Sequence, residues 1–214
     1  MPRFKHELVA RDFNQYVGQS QRLVFTARRW AAGPLTPKFT PFHRNILIEL
    51  AYLRVFLAWE RFLEESFILF LLGKRPQRMR RRPRSLVTPT SWQRAFDLLL
   101  PESGRGYVDW DNLDHVRNRA KRFFRNGEPF ETALLPRLNL LHEMRTIRNA
   151  IAHRSLASQE KFEKLVRDKL GYLPPNLTVG FFLESAIPGT NPVQSYLDQY
   201  LAGVSSAVST LVPN

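Results

Sequence analysis

The residues best suited to chemistry lie between positions 141 and 155, in the run Leu-His-Glu-Met-Arg-Thr-Ile-Arg-Asn-Ala-Ile-Ala-His-Arg-Ser. On a helix, Arg145, Asn149 and His153 follow one another at four-residue steps and share one face, and Arg148 flanks Asn149. A histidine titrates near neutrality and serves as proton acceptor or donor. An arginine stabilises charge that develops on phosphate oxygens. An asparagine can orient either one. Together they suit cleavage of RNA by its own 2′-hydroxyl, a reaction that needs proton transfer and a cation but no metal. One histidine is one proton-transfer group short, and a two-fold dimer would bring a second copy. DNA lacks the 2′-hydroxyl and is excluded by that chemistry. Read alone, His153 is more simply an ordinary histidine at a helix C-terminus, stabilised by the helix dipole, and it is Arg148 and Asn149 beside it that favour the functional reading. His142 and His153 are eleven residues apart, a spacing that does not bring both rings to one ion, so neither a metal nor another cofactor is expected.

The surrounding pattern predicts helices that would hold this run in place. Thr40-Pro41 reads as an N-cap and first helical residue, and Gly73 as the stop of a long buried helix between them. Residues 74–90 read as a loop rich in Arg and Pro. A short helix is expected over Ser91–Leu100, ended by Pro101, and another over Asp109–Asn126, closed by Gly127. A helix from about 134 to 153 would carry the candidate chemistry, with Ile147, Ile151, Leu138 and Leu141 on its packed side. Ser158 is expected to cap a further helix ending at Gly171, Leu177–Leu183 to form a short strand, and the segment after Val193 to close the chain as a helix. The expected fold class is all-α, a bundle of five to seven helices forming a single domain over 1–214, with 171–214 a proline-containing loop and a C-terminal helix.

Composition narrows the partners. The 214 residues carry a net charge of +13 and no cysteine, which excludes a disulfide scaffold, a thiolate metal site and a cysteine nucleophile. A reducing cytoplasm is the location that fits. The N-terminal residues leave no room for an apolar targeting segment, and the apolar stretch Ile46–Leu72 holds six charged residues, too many for a membrane span. Of the 32 basic residues 25 are Arg, and residues 74–94 hold eight basic and no acidic side chains. Such a surplus points to a polyanion, nucleic acid before membrane. Arg78, Arg80, Arg81 and Arg82 in the loop, Arg117, Arg119, Lys121 and Arg122 in the following helix, and Arg154 are the candidate RNA-binding residues. Block charge of this kind also occurs as a solvated loop.

The segment Arg148-Asn149-Ala150-Ile151-Ala152-His153 resembles the Arg-x4–6-His signature of the HEPN superfamily, as in RiboL-PSP-HEPN-like and other stand-alone HEPN ribonucleases. The run Trp59-Glu60-Arg61-Phe62-Leu63-Glu64 is similar to the helix that packs against the motif helix in that family, and the resemblance spans roughly residues 40–170. It implies an all-α HEPN-like core, a homodimer and a metal-independent endoribonuclease of a microbial defence or toxin–antitoxin-type system. It makes Arg148 and His153 catalytic with Asn149 their polar partner, and Glu60 and Arg145 supporting residues. RNA is the expected substrate, and an inhibitory antitoxin or other regulatory partner follows from such a setting. The alternative is a non-catalytic scaffold of the same fold that binds nucleic acid or protein.

Overall fold

The computed structural model describes residues 5–31, 39–100, 108–153 and 155–213. Among them the fold is all-α: there are nine α-helices, two short 3-10 turns and no strand, only two isolated β-bridges. The nine exceed the expected five to seven: α-helices at His6–Ala31 and Phe130–Leu134 are additional, and one expected strand is helical.

The helices are α1 (His6–Ala31), α2 (Pro41–Leu71), α3 (Trp92–Asp97), α4 (Leu113–Phe123), α5 (Phe130–Leu134), α6 (Leu138–Ala152), α7 (Leu156–Leu170), α8 (Val179–Glu184) and α9 (Tyr196–Leu211). In α1, Val9, Phe13, Val17, Val24 and Ala27 recur at steps of three, four or seven and are all buried, the stripe of an amphipathic helix. α2 begins at Pro41 as expected, with the Thr40 N–H donating to Nδ1 of His43 (3.2 Å). It ends at Gly73, whose φ of 71° admits the closing pair of bonds from the N–H groups of Lys74 and Gly73 to the carbonyls of Leu69 and Phe70. α4 is shorter at both ends than Asp109–Asn126. Asn112 caps it, and Phe124 turns extended to form a β-bridge with Ser85. The helix expected over 134–153 is broken at Leu135–Arg137, a 3-10 turn containing Pro136, so α6 starts at Leu138. The cap of α7 is Ser155 rather than Ser158: the Ser158 N–H donates to Oγ of Ser155 (3.3 Å). Leu177–Leu183 is not a strand. Thr178 caps α8, its hydroxyl accepting from the Phe181 N–H (3.1 Å). Pro101 lies outside the described residues.

Contacts group the chain into two compact units. The first draws on Met1–Asn14, Ala58–Asn139 and Val204–Asn214. Its core is aromatic. The Phe67 ring sits 4.7 Å from Phe130, 5.0 Å from Phe124 and 5.5 Å from Trp110, and Phe13 packs on Trp59 and Phe62. The second unit draws on Gln15–Leu57 and Leu140–Gly203. Here Phe182 stacks on Tyr196 at 4.7 Å and meets Phe162 edge-on. α8 approaches α2 so closely that a side chain at Gly180 would place its Cβ 2.5 Å from the Asn45 carbonyl oxygen. The Gly180 N–H donates to Glu49 (2.9 Å), and burial raises the Glu49 carboxyl above its ordinary range. Among the described residues no helix is long and apolar enough to cross a membrane.

Candidate active site at the end of helix α6

The three residues singled out by type and spacing meet at the C-terminal end of α6. Arg148 Nη1 donates to Oδ1 of Asn149 (3.0 Å) and lies 3.1 Å from Nε2 of His153. A guanidinium has only donors, so Nε2 is placed as the acceptor in this contact. Asn149 thus partners the arginine, not the histidine. His153 stands just past the last helical residue, its N–H bonded to the Asn149 carbonyl (2.8 Å), and its side chain is exposed. Arg148 and Asn149 are half-buried. Two residues beyond His153, Ser155 caps α7. Cationic side chains at this end also face the negative pole of the α6 dipole.

What fixes α6 is a set of polar contacts to its first two turns. Tyr200 donates to Glu143 Oε2 (3.0 Å), Lys169 pairs with Glu143 Oε1 (2.7 Å), and Tyr52 donates to the Met144 carbonyl (2.7 Å). Burial and the Glu143 charge raise the Tyr200 phenol far above its usual value, so it stays a donor. Leu141, Met144 and Ile147 are buried, while Ile151 is half-buried. Tyr200, Lys169 and Tyr52 carry no signal of this role in the sequence, because their partners are 26 to 92 residues away and leave no periodic trace. Arg145, one turn before Asn149, is half-buried, as is His142. Glu60 is half-buried in α2 and belongs to the first unit, between buried Trp59 and Phe62.

The cations expected to hold RNA divide into two groups. Arg117 is occupied: its guanidinium makes a two-pronged bond to Glu131 (2.9 and 3.0 Å), and it holds that carboxyl below the usual range. Lys121 approaches the same carboxylate at 3.8 Å. Arg119 lies over the Trp110 ring and donates to the Asp109 carbonyl, and Arg122 lies over Phe123. Burial disfavours the charge on Arg119. These side chains brace α4. By contrast Arg78, Arg80, Arg81 and Arg82 are exposed and border a cleft of about 660 Å³ that Arg84 and Arg125 complete. Arg154 lies outside the described residues.

Among the described residues no group of three or more His, Asp or Glu side chains is placed to hold a metal ion. No protein-family model matches the chain, and neither does any curated protein or solved structure.

Proposed function

We propose that this chain is a HEPN-like endoribonuclease that cleaves RNA through attack of the 2′-hydroxyl on the adjacent phosphate, without a metal ion. The observation that carries the reading is the contact of Arg148 with both Asn149 and His153 at the exposed end of α6. In the reaction His153 Nε2 takes the 2′-hydroxyl proton. The 2′-oxygen bonds to phosphorus, and the bond from phosphorus to the 5′-oxygen breaks. The 5′-oxygen leaves with a proton from His153 of a second copy, giving a 2′,3′-cyclic phosphate and a 5′-hydroxyl. Arg148 turns its guanidinium to the phosphate oxygens as charge builds there, and Asn149 holds it beside the histidine. The exposed Arg78, Arg80, Arg81 and Arg82 add positive charge that draws RNA towards the protein.

A homodimer fits the exposed apolar side chains of α2. Phe42, Ile46, Leu50 and Leu57 are 43–66% exposed and fall within one side of the helix. A cell must restrain such an enzyme, which is the place for an antitoxin or regulatory partner in a defence or stress system.

Structured, labelled RNA incubated in EDTA with wild type, Arg148→Ala and His153→Ala tests this. Wild type should leave cyclic-phosphate ends, with each variant slower by at least about a hundredfold. Equal cleavage by the His153→Ala protein would remove the proposed role. RNA bound but not cut by any of the three would turn the reading to a binding scaffold.

A further inference from the structure

The cleft in the first unit has a composition unlike the rest of the surface. Six arginines line it: Arg78, Arg80, Arg81, Arg82, Arg84 and Arg125. Against them stands one carboxylate, Glu128, whose Oε1 already accepts a hydrogen bond from Thr132 (2.8 Å). Of the remaining wall, Met79, Pro83, Pro129 and Pro213 are apolar, and Asn126, Thr132 and Thr210 are polar.

Hydrogen bonds to backbone carbonyls gather these groups. The Arg125 N–H donates to the Arg84 carbonyl (3.0 Å), the Leu86 N–H donates to the Phe123 carbonyl (2.8 Å), and Arg82 donates to the Gly73 carbonyl (3.1 Å). Salt screens charges only beyond a Debye length of about 8 Å, so guanidiniums around one concavity repel one another. A multivalent anion reverses that cost. The guanidinium fork matches phosphate oxygens two at a time. A polynucleotide backbone calls for cations spread along an open track. Here they converge on a space within the roughly 300–1,000 Å³ range of small-molecule sites. The apolar part of the wall offers surface to a base or sugar.

We propose that this cleft binds a compact polyphosphate chain, carried by a nucleoside triphosphate or by the 5′-triphosphate end of an RNA. The site lies within the first unit and its argument is independent of the α6 residues, so its test measures binding and not cleavage. The full chain is titrated with a fluorescent ATP analogue. Displacement is then measured for ATP, AMP, and two short 2′-O-methyl RNAs that differ only in a 5′-triphosphate or 5′-hydroxyl. At least one triphosphate ligand should bind about tenfold or more tighter than its counterpart without the chain. The double variant Arg80→Ala/Arg125→Ala should lose that preference, both side chains being exposed. The double variant Lys161→Ala/Lys164→Ala, which removes equal charge from exposed positions on α7, should keep it. Preference for ATP alone identifies a nucleotide site, and preference for the triphosphorylated RNA alone identifies an RNA-end site. Equal binding within each pair, no binding at all, or an equal loss in the lysine variant would overturn the proposal.

Discussion

The two units differ in what surrounds one central group in each, Phe67 in the first and helix α6 in the second. In the first, Phe67 is surrounded by Phe124, Phe130 and Trp110, rings packed at 4.7–5.5 Å with no polar atom required. In the second, α6 is tied through Glu143 to Tyr200 and Lys169 and through the Met144 carbonyl to Tyr52. Aromatic packing is strong but weakly directional, so it supports a helix without tightly fixing its rotation. A hydrogen bond fixes both distance and angle. The helix that presents Arg148, Asn149 and His153 is held by such directional contacts, as α4 is by Arg117 on Glu131. That is the arrangement a site needs if a small rotation of its helix would misplace its groups.

The largest effect expected is on the aromatic side. Phe67→Ala removes a fully buried ring and leaves a cavity, at a cost of about 4 kcal/mol. Amide hydrogen exchange in α4 and α5 should accelerate accordingly. A cost below about 1 kcal/mol would mean that this ring cluster does not hold the unit together.

The first unit should also be the acid-sensitive one. His6 is buried against Phe70 at a ring distance of 4.1 Å, and burial lowers its pKa from 6.5 to about 4. The folded protein therefore keeps His6 neutral where the unfolded chain has bound a proton. Its contribution is fully present above pH 6.5 and lost as pH falls towards 4, about 3 kcal/mol over that window. Glu64, raised by burial, changes stability in the opposite sense, but it is common to wild type and His6→Gln and cancels in their difference. Denaturant unfolding of both proteins from pH 7 to pH 4 should give curves that converge as acid is added. Parallel curves would show that His6 is not the group responsible.

How much of this was legible in the sequence depends on where each partner sits. Local signals were readable: Thr40-Pro41 and Gly73 bound α2, Gly171 closes α7, and the trio at 148–153 meets through side chains on one short stretch. In α1 the stripe of Val9, Phe13 and Val17 is unbroken at four-residue steps, but Arg11, Asp12 and Gly18 lie around it and give the segment less apolar weight than Ile46–Leu72. The run Leu177–Leu183 suits strand or helix by pattern alone. Thr178 as a cap and the Glu49 carboxylate on the Gly180 N–H decide for helix, and Glu49 is 131 residues away. The same distance problem hid the state of Arg117. Its partner Glu131 is 14 residues on, across a helix end and a turn, so the cation looked available in the sequence and is bound in the fold.

The smallest of these effects bears most directly on the comparison. Tyr200→Phe keeps the ring and removes one hydrogen bond to a carboxylate that Lys169 still contacts, so the expected cost is about 2 kcal/mol. Tyr52→Phe should cost about 1 kcal/mol, since the Met144 carbonyl it releases is a neutral acceptor within a helix. If directional contacts set the position of α6, Tyr200→Phe will speed amide exchange in α6 while leaving α4 and α5 unchanged, the converse of Phe67→Ala. Under the proposed function it will also slow RNA cleavage more than its stability cost alone would predict, because the folded molecules would hold Arg148 and His153 less well. Unchanged exchange in α6 would put its position down to the buried Leu141, Met144 and Ile147, and the polar contacts would then be an accompaniment to packing in both units.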